Sequence, residues 1–86
     1  MTLQQLRKRI DRVDAQILRL LNQRATLGLE VGRLKKREGR CLFDPKREQA
    51  ILRHLTQVNG GPLSSPAIRV IYREILRQVR RLEQSA

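Results

Sequence analysis

The chain has 86 residues, enough for one small domain and too few for two. Charged residues make up 31% of it and hydrophobic residues 40%, a composition that excludes an intrinsically disordered protein. Nineteen Lys and Arg against eight Asp and Glu give a net charge of +11, so we expect an anionic partner: nucleic acid, an acidic lipid surface or a small polyanion.

The first predicted element is a helix of about 35 residues that ends near Gly39. Its apolar positions step by three and four, with no Pro inside: Leu3, Leu6, Ile10, Val13, Ile17, Leu20, Leu27, Val31 and Leu34. Such a helix is about 50 Å long, whereas a compact domain of this size has a radius of gyration of about 12 Å. We therefore expect a second copy of the chain to cover the apolar stripe, which predicts a helical homodimer.

Two shorter helices are predicted to follow. Asp44 as N-cap and Pro45 as first residue begin the second, which ends at the run Asn59-Gly60-Gly61-Pro62. Ser65 and Pro66 repeat that device for the third helix, which runs to about Glu83. The inward positions are predicted to be Ile51, Leu52, Leu55 and Val58, then Ile68, Ile71, Tyr72, Ile75, Leu76, Val79 and Leu82. With no strand candidate, the predicted fold is all-α, with three helices per protomer in one domain over residues 1–86.

Several kinds of chemistry are disfavoured by residue types that are scarce. Phe43 and Tyr72 are the only aromatic residues, too few for a base-stacking platform. Cys41 and His54 are each single, so neither an internal disulfide nor a metal site of soft ligands is expected. No apolar run approaches the roughly 18 residues of a membrane span, and the first residues, MTLQQLRKRID, lack the apolar core of a signal peptide. We expect a cytoplasmic protein without metal or membrane partner.

Two cations on the first helix stand out. Arg24 occupies a position where the apolar pattern requires a hydrophobic residue, seven after Ile17 and seven before Val31. A guanidinium there is costly unless it meets an anion, which could be an Asp or Glu, and it could instead fix register in a coiled coil. Lys35 follows roughly 16 Å further along the axis, close enough for both side chains to hold one small anion.

Arg7 lies roughly 25 Å from Arg24 along the helix, so it cannot reach the same small ligand within one chain. In an antiparallel dimer, the Arg7 end of one chain can lie beside the Arg24 region of the other. A site shared between two subunits is the geometric consequence. Spacing by itself favours a plain solvated charge for Arg7.

Three polar residues of the shorter helices lean toward buried faces. Arg47 and Glu48 precede the apolar pair of the second helix by one turn, and a first-turn ion pair or a capping interaction would also explain them. Glu83 continues the line of Tyr72 and Leu76, although a surface carboxylate at a frayed helix end would explain it as well.

Four stretches carry a family resemblance through almost the whole chain. They read LRKRIDRVDAQILRLLNQR (residues 6–24), EVGRLK (30–35), FDPKREQAIL (43–52) and GPLSSPAIRVIYREIL (61–76). With Arg7, Arg24, Lys35 and the run DPKRE at these separations, the sequence resembles the all-helical class of chorismate mutases. The resemblance implies an intertwined dimer of three-helix protomers with two sites, each lined by both chains.

The activity implied is the Claisen rearrangement of chorismate to prephenate, the branch step toward phenylalanine and tyrosine, without a cofactor. By the same resemblance, a partner's Arg7 would join Arg24 and Arg47 in holding the two substrate carboxylates. Lys35 would reach the ether oxygen and an adjacent carboxylate. The substrate hydroxyl would face Asp44 and Glu48.

Two positions depart from the family pattern. Val79 replaces a small hydroxyl residue and cannot supply that residue's contact to a substrate carboxylate. Glu83 stands where a Gln is common, although some members carry Glu, and it can donate to the ether oxygen only when protonated.

Two other functions stay open. A basic binding module for nucleic acid would use Arg69, Arg73, Arg77, Arg80 and Arg81, which have no role in the enzyme and could simply be solvated. No helix-turn-helix spacing supports that module. Alternatively, the same fold could act as an isochorismate pyruvate-lyase or as an inactive regulatory domain.

Overall fold

The computed structural model describes residues 1–86 and contains three α-helices and no strand. They are α1 (Leu3–Arg37), α2 (Pro45–Val58) and α3 (Ser65–Ser85). The predicted all-α fold with one long and two shorter helices is confirmed. The protomer is elongated, measuring 55 × 25 × 16 Å, and its radius of gyration is 15.9 Å.

Helix α1 is fixed at both ends by its own sequence. The Thr2 hydroxyl accepts a hydrogen bond from the Gln5 amide, and the Gln5 side chain accepts one from the Thr2 amide, which together form a capping box. The helix ends at Arg37, with Glu38 as its C-cap, and the three basic residues of its last turn suit the negative end of the helix dipole. Gly39 then adopts a φ of 69°, a left-handed conformation that favours glycine.

Helices α2 and α3 both begin with a capping side chain and a proline in the first turn, as predicted, but one of the two caps was misassigned. Asp44 caps α2 as predicted, and its Oδ1 accepts from the Arg47 amide at 3.0 Å. The N-cap of α3 is Ser64, however, and the prediction of Ser65 was wrong by one residue. Ser64 has the extended backbone that lets its hydroxyl reach the Ala67 amide, whereas Ser65 is already helical.

Helix α3 continues to Ser85, two residues beyond the predicted end at Glu83. A side chain of α1 stabilises this last turn. The Lys36 ammonium donates to the carbonyl oxygens of Glu83 at 3.3 Å and Ala86 at 2.6 Å. The Glu83 carbonyl also accepts from the Ala86 amide, whereas the Ala86 carbonyl has no partner within the helix.

Helix α3 packs against both other helices, whereas α1 and α2 do not contact each other. The core is therefore small, and only Gly32, Leu52 and Leu76 are buried. Three residues that were predicted to face inward are exposed instead: Val58, Ile71 and Leu82. Their prediction was wrong for the protomer, because no further element of the chain covers that side of α2 and α3.

The contact between α1 and α3 depends on two glycines spaced one turn apart. A Cβ atom on Gly28 would lie 2.6 Å from Val79 Cγ1, and one on Gly32 would lie 3.2 Å from Glu83 Cγ. A side chain at Gly28 would force Val79 and its helix to move, and one at Gly32 would require a small shift of the Glu83 side chain. The glycines thus bring Val79 and Glu83 directly against the backbone of α1.

The N-terminal half of α1 has no packing partner in the protomer. Every residue from Met1 to Leu20 is exposed, and six of them form the continuous apolar stripe that the sequence predicts: Leu3, Leu6, Ile10, Val13, Ile17 and Leu20. None of the three helices combines the length and apolarity required to cross a bilayer.

Candidate active site

An open cavity of about 320 Å³ lies between the C-terminal half of α1, the start of α2 and the end of α3. Helix α3 holds it together because it alone contacts both other helices. Seven of the eight side chains predicted from the sequence line this cavity: Arg24, Lys35, Asp44, Arg47, Glu48, Val79 and Glu83.

Helix α1 supplies two cations to the cavity. The Arg24 guanidinium lies 5.9 Å from the ring centre of Tyr72 and forms no ion pair with an acidic residue of its own chain. The alternative prediction, an ion pair between Arg24 and an Asp or Glu of the same chain, is therefore not observed in the protomer. The Lys35 ammonium donates to the Leu42 carbonyl oxygen at 3.3 Å and keeps two further N–H groups for a ligand.

Helix α2 supplies one cation and two carboxylates. Asp44 Oδ1 is used in capping the helix, which leaves Oδ2 free. Arg47 is exposed to solvent and also lines the cavity. Glu48 does not pair with Arg47 in the first turn; its Oε2 accepts a hydrogen bond from Arg80 Nη1 across the helix interface at 2.5 Å.

Helix α3 contributes Glu83, whose side chain is half-buried at the cavity rather than frayed into solvent. Burial raises the pKa of Glu83 above its ordinary value, and the negative charge of Glu48 acts in the same direction. The cations Lys35, Arg24 and Arg80 lower the pKa of Glu83 without cancelling the effect of burial. This carboxyl group therefore keeps its proton to a higher pH than an ordinary glutamate.

One lining residue, Arg80, was not predicted from the sequence, where it was grouped with the solvated arginines of α3. Arg80 bonds to Glu48 and its guanidinium lies 4.5 Å from the ring centre of Phe43. The inward orientation of Arg80 could have been predicted, because it follows the buried Leu76 by four residues and shares its face of the helix. Arg77, by contrast, points outward and pairs with Glu74 at 2.7 Å.

Arg7 is the one predicted site residue that does not line the cavity. It is exposed on the bare half of α1. Its predicted role depends on a second copy of the chain and stays a prediction.

Four cations and three carboxylates line the cavity, so its charge is positive and rises further when Glu83 is protonated. Guanidinium and ammonium groups on three rigid helices can hold a small dianion in one orientation. No group of three or more His, Cys, Asp or Glu side chains with metal-binding geometry occurs in the chain.

Comparison with known proteins identifies a family that the chain matches over most of its length. Residues 6–84 match the family described as chorismate mutase type II. The fold is similar to that of the chorismate mutase (form II) of Thermus thermophilus, with a TM-score of 0.94 and 44% identity over 95% of this chain and 93% of that one. It is also similar to the chorismate mutase of Helicobacter pylori in complex with prephenate, with a TM-score of 0.89 and 29% identity over 96% of this chain and 90% of that one.

A bifunctional chorismate mutase/prephenate dehydratase of Aquifex aeolicus is 40% identical over 95% of this chain. The match covers only 24% of that relative, so the chain spans about a quarter of its length.

Proposed function

The chain belongs to the chorismate mutase type II family, and on that premise we propose that it catalyses the Claisen rearrangement of chorismate to prephenate in phenylalanine and tyrosine biosynthesis. The observation that carries the proposal is the convergence of Arg24, Lys35 and Arg47 on one cavity of about 320 Å³. We also propose that residues 1–86 form one mutase domain that acts in the cytoplasm.

The first task of the site is to fold a flexible dianion into its reactive shape. In the rearrangement one carbon–oxygen bond breaks and one carbon–carbon bond forms within the same molecule, so no nucleophile or proton transfer is needed. Arg24 and Arg47 hold the two substrate carboxylates, and each planar guanidinium can bind a carboxylate through two parallel hydrogen bonds. Confining the reacting atoms in this way lowers the entropic part of the barrier.

The second task is to stabilise charge that appears only in the transition state. Negative charge develops on the ether oxygen as its bond to carbon breaks. Lys35 and Glu83 line the cavity from two helices that pack together, and the ammonium and the protonated carboxyl group donate to that oxygen. Because the charge is absent from bound chorismate, these interactions favour the transition state over the ground state.

The remaining contacts orient the ring of the substrate. The free oxygens of Asp44 and Glu48 accept the hydrogen bond of the substrate hydroxyl. Val79 offers only apolar surface where the family commonly has a hydroxyl, so the arginines carry more of the carboxylate binding.

We propose that the site is completed by Arg7 of a second copy in an intertwined homodimer. The protomer exposes 7079 Å² of surface, whereas a compact monomer of this mass exposes about 5300 Å². The excess is larger than the about 800 Å² that each partner buries in a standard interface. The apolar stripe on the bare half of α1 supplies the surface that such an interface needs.

The test is to follow the loss of chorismate absorbance with the purified protein and with the variant Lys35→Ala. We expect turnover that the variant slows by about 10²- to 10³-fold, and a product of unchanged mass whose NMR spectrum is that of prephenate. Release of pyruvate from isochorismate in place of this product would support the lyase alternative. No turnover of either compound would support an inactive regulatory domain.

A further inference from the structure

We propose that Arg80 is a positioning residue for this reaction, which ties Glu48 of α2 to α3 and aims the free oxygen of that carboxylate at the substrate hydroxyl. The inference rests on the proposed function. It assigns a role to a cation that neither the resemblance nor the sequence pattern singled out.

The first support is that Arg80 is itself held in place from two sides. Its Nη1 donates to Glu48 Oε2 at 2.5 Å, and its guanidinium lies over Phe43 with 4.5 Å between the guanidinium carbon and the ring centre. Both side chains of the ion pair are about three-quarters buried, with 25% and 27% exposure. A charge-assisted bond in such surroundings is less weakened by water and salt than a surface pair.

The second support is the position of the bond within the carboxylate. Arg80 occupies Oε2 of Glu48, and Oε1 has no hydrogen-bond partner in the chain. A glutamate side chain has three rotatable bonds, so an unanchored Glu48 would sample several orientations. Anchoring one oxygen to α3 fixes where the other one points.

The third support is the charge balance of the cavity. Glu48 brings a negative charge into a cavity that is to hold a dianion, and this charge repels the substrate unless a cation offsets it. Arg80 is the only cation of the cavity in an ion pair with a carboxylate. The other three cations, Arg24, Lys35 and Arg47, are thereby left for the ligand.

The test is a double-mutant cycle on the whole protein, with kcat and KM measured separately. Arg80→Met is expected to lower kcat/KM about tenfold in the wild-type background and less than twofold in a Glu48→Gln background, because the two residues act as one unit. Arg80→Lys keeps the charge and should recover part of the loss. Arg81→Met, which removes a neighbouring exposed cation, is the matched control and should change nothing.

A second readout separates a local effect of the two charges from a general loosening of the fold. Glu83 is faced by Lys35 and Arg24 of α1, Glu48 of α2 and Arg80 of its own helix, and Lys36 holds its backbone carbonyl. In a carbon-13 NMR titration, Arg80→Met should raise the pKa of Glu83 and Glu48→Gln should lower it. General loosening of the fold would move both variants in the same direction.

The outcomes are distinguishable. An equal loss of kcat/KM from Arg80→Met in both backgrounds, no loss in the first, or a pKa of Glu83 that moves the same way in both variants overturns the inference while wild-type turnover stands. Absence of turnover in the wild-type protein overturns the proposed function and, with it, the inference.

Discussion

The two halves of α1 have the same apolar periodicity, but only the C-terminal half has another helix packed beside it, against Gly28 and Gly32. At Gly28 the helix lies so close to α3 that a single methyl group would clash. Before Leu21 every residue is exposed, whereas the apolar stripe itself is about half exposed along the whole helix, as with Ile10 at 57% and Val31 at 49%. A sequence pattern thus states that a face will be covered, but it does not state whether the same chain covers it.

The two halves of α1 also contribute differently to the proposed function. The C-terminal half of α1 is packed by its own chain and presents Arg24 and Lys35 to the cavity. The N-terminal half carries Arg7 and offers apolar surface to a second copy. In the proposed dimer, changes to the C-terminal half affect the cavity directly, whereas loss of association at the N-terminal half also removes Arg7 from the site.

The largest effect is expected from a charge placed on the bare half. Ile10→Glu puts a carboxylate in the centre of the apolar stripe, where a partner helix would have to bury it. We expect loss of the dimer in sedimentation experiments and a fall in kcat/KM of at least about 10³-fold. Ala15→Glu adds the same charge to the opposite face of the helix and is the control. A fully active monomeric Ile10→Glu variant would contradict the shared site.

The next prediction joins the two halves. Arg7→Ala and Lys35→Ala should each lower kcat/KM by about 10²- to 10³-fold, because each removes a cation that binds substrate. Mixed in equal amounts with subunit exchange, they should recover about a quarter of wild-type activity, because half of the dimers are hybrids with one intact site of two. No recovery on mixing, despite exchange shown by mass spectrometry, would contradict a contribution of Arg7 across the interface.

A smaller effect is expected where the packed half is tightest. Gly28→Ala places a methyl group 2.6 Å from Val79 Cγ1, so α3 must shift. We expect a loss of about 1–3 kcal/mol in the free energy of unfolding and about tenfold in kcat/KM. Adding Val79→Ala removes the clashing atom and should restore part of the stability. Gly60→Ala has open space around it and should be nearly neutral.

The smallest expected effect is on pH dependence. Since burial raises the pKa of Glu83, the proton that donates to the ether oxygen is lost as pH rises through that raised pKa, and kcat should fall several-fold across that transition. A raised pKa also means that Glu83 favours the folded state at low pH and that this contribution is lost as pH rises through the folded-state pKa. Glu83→Gln should flatten the profile, and a flat wild-type profile would contradict the role of Glu83 as donor.

Most of the fold was predictable because it depends on local signals. The step of three and four, the cap at Asp44 and the glycine at position 39 act over a few residues and are visible in the sequence. The N-cap of α3 was misplaced by one residue because Ser64 and Ser65 carry the same hydroxyl. Only the backbone conformation decides which of the two accepts from the amide.

The residues that line the cavity were predictable where a charged side chain interrupts an apolar pattern, and not where a side chain resembles its neighbours in the sequence. Arg24 interrupts an apolar stripe and is therefore conspicuous, and seven of the eight predicted side chains converge on one cavity. Arg80 does not stand out in the sequence, because it lies in a helix rich in arginine. Its pairing with Glu48 depends on how α2 and α3 pack, which local patterns do not reveal. Gly28 and Gly32 show no function until the approach of α3 is known.

The grip of Lys36 on the last turn of α3 has a consequence for how such a protein can change over evolution. The contact between Lys36 of α1 and the main chain of α3 helps to fix the distance between the Lys35 ammonium and the Glu83 carboxyl group. Hydrophobic side chains elsewhere can drift in size while the distance between the two groups is preserved. Distant sequences can in this way retain one reactive geometry.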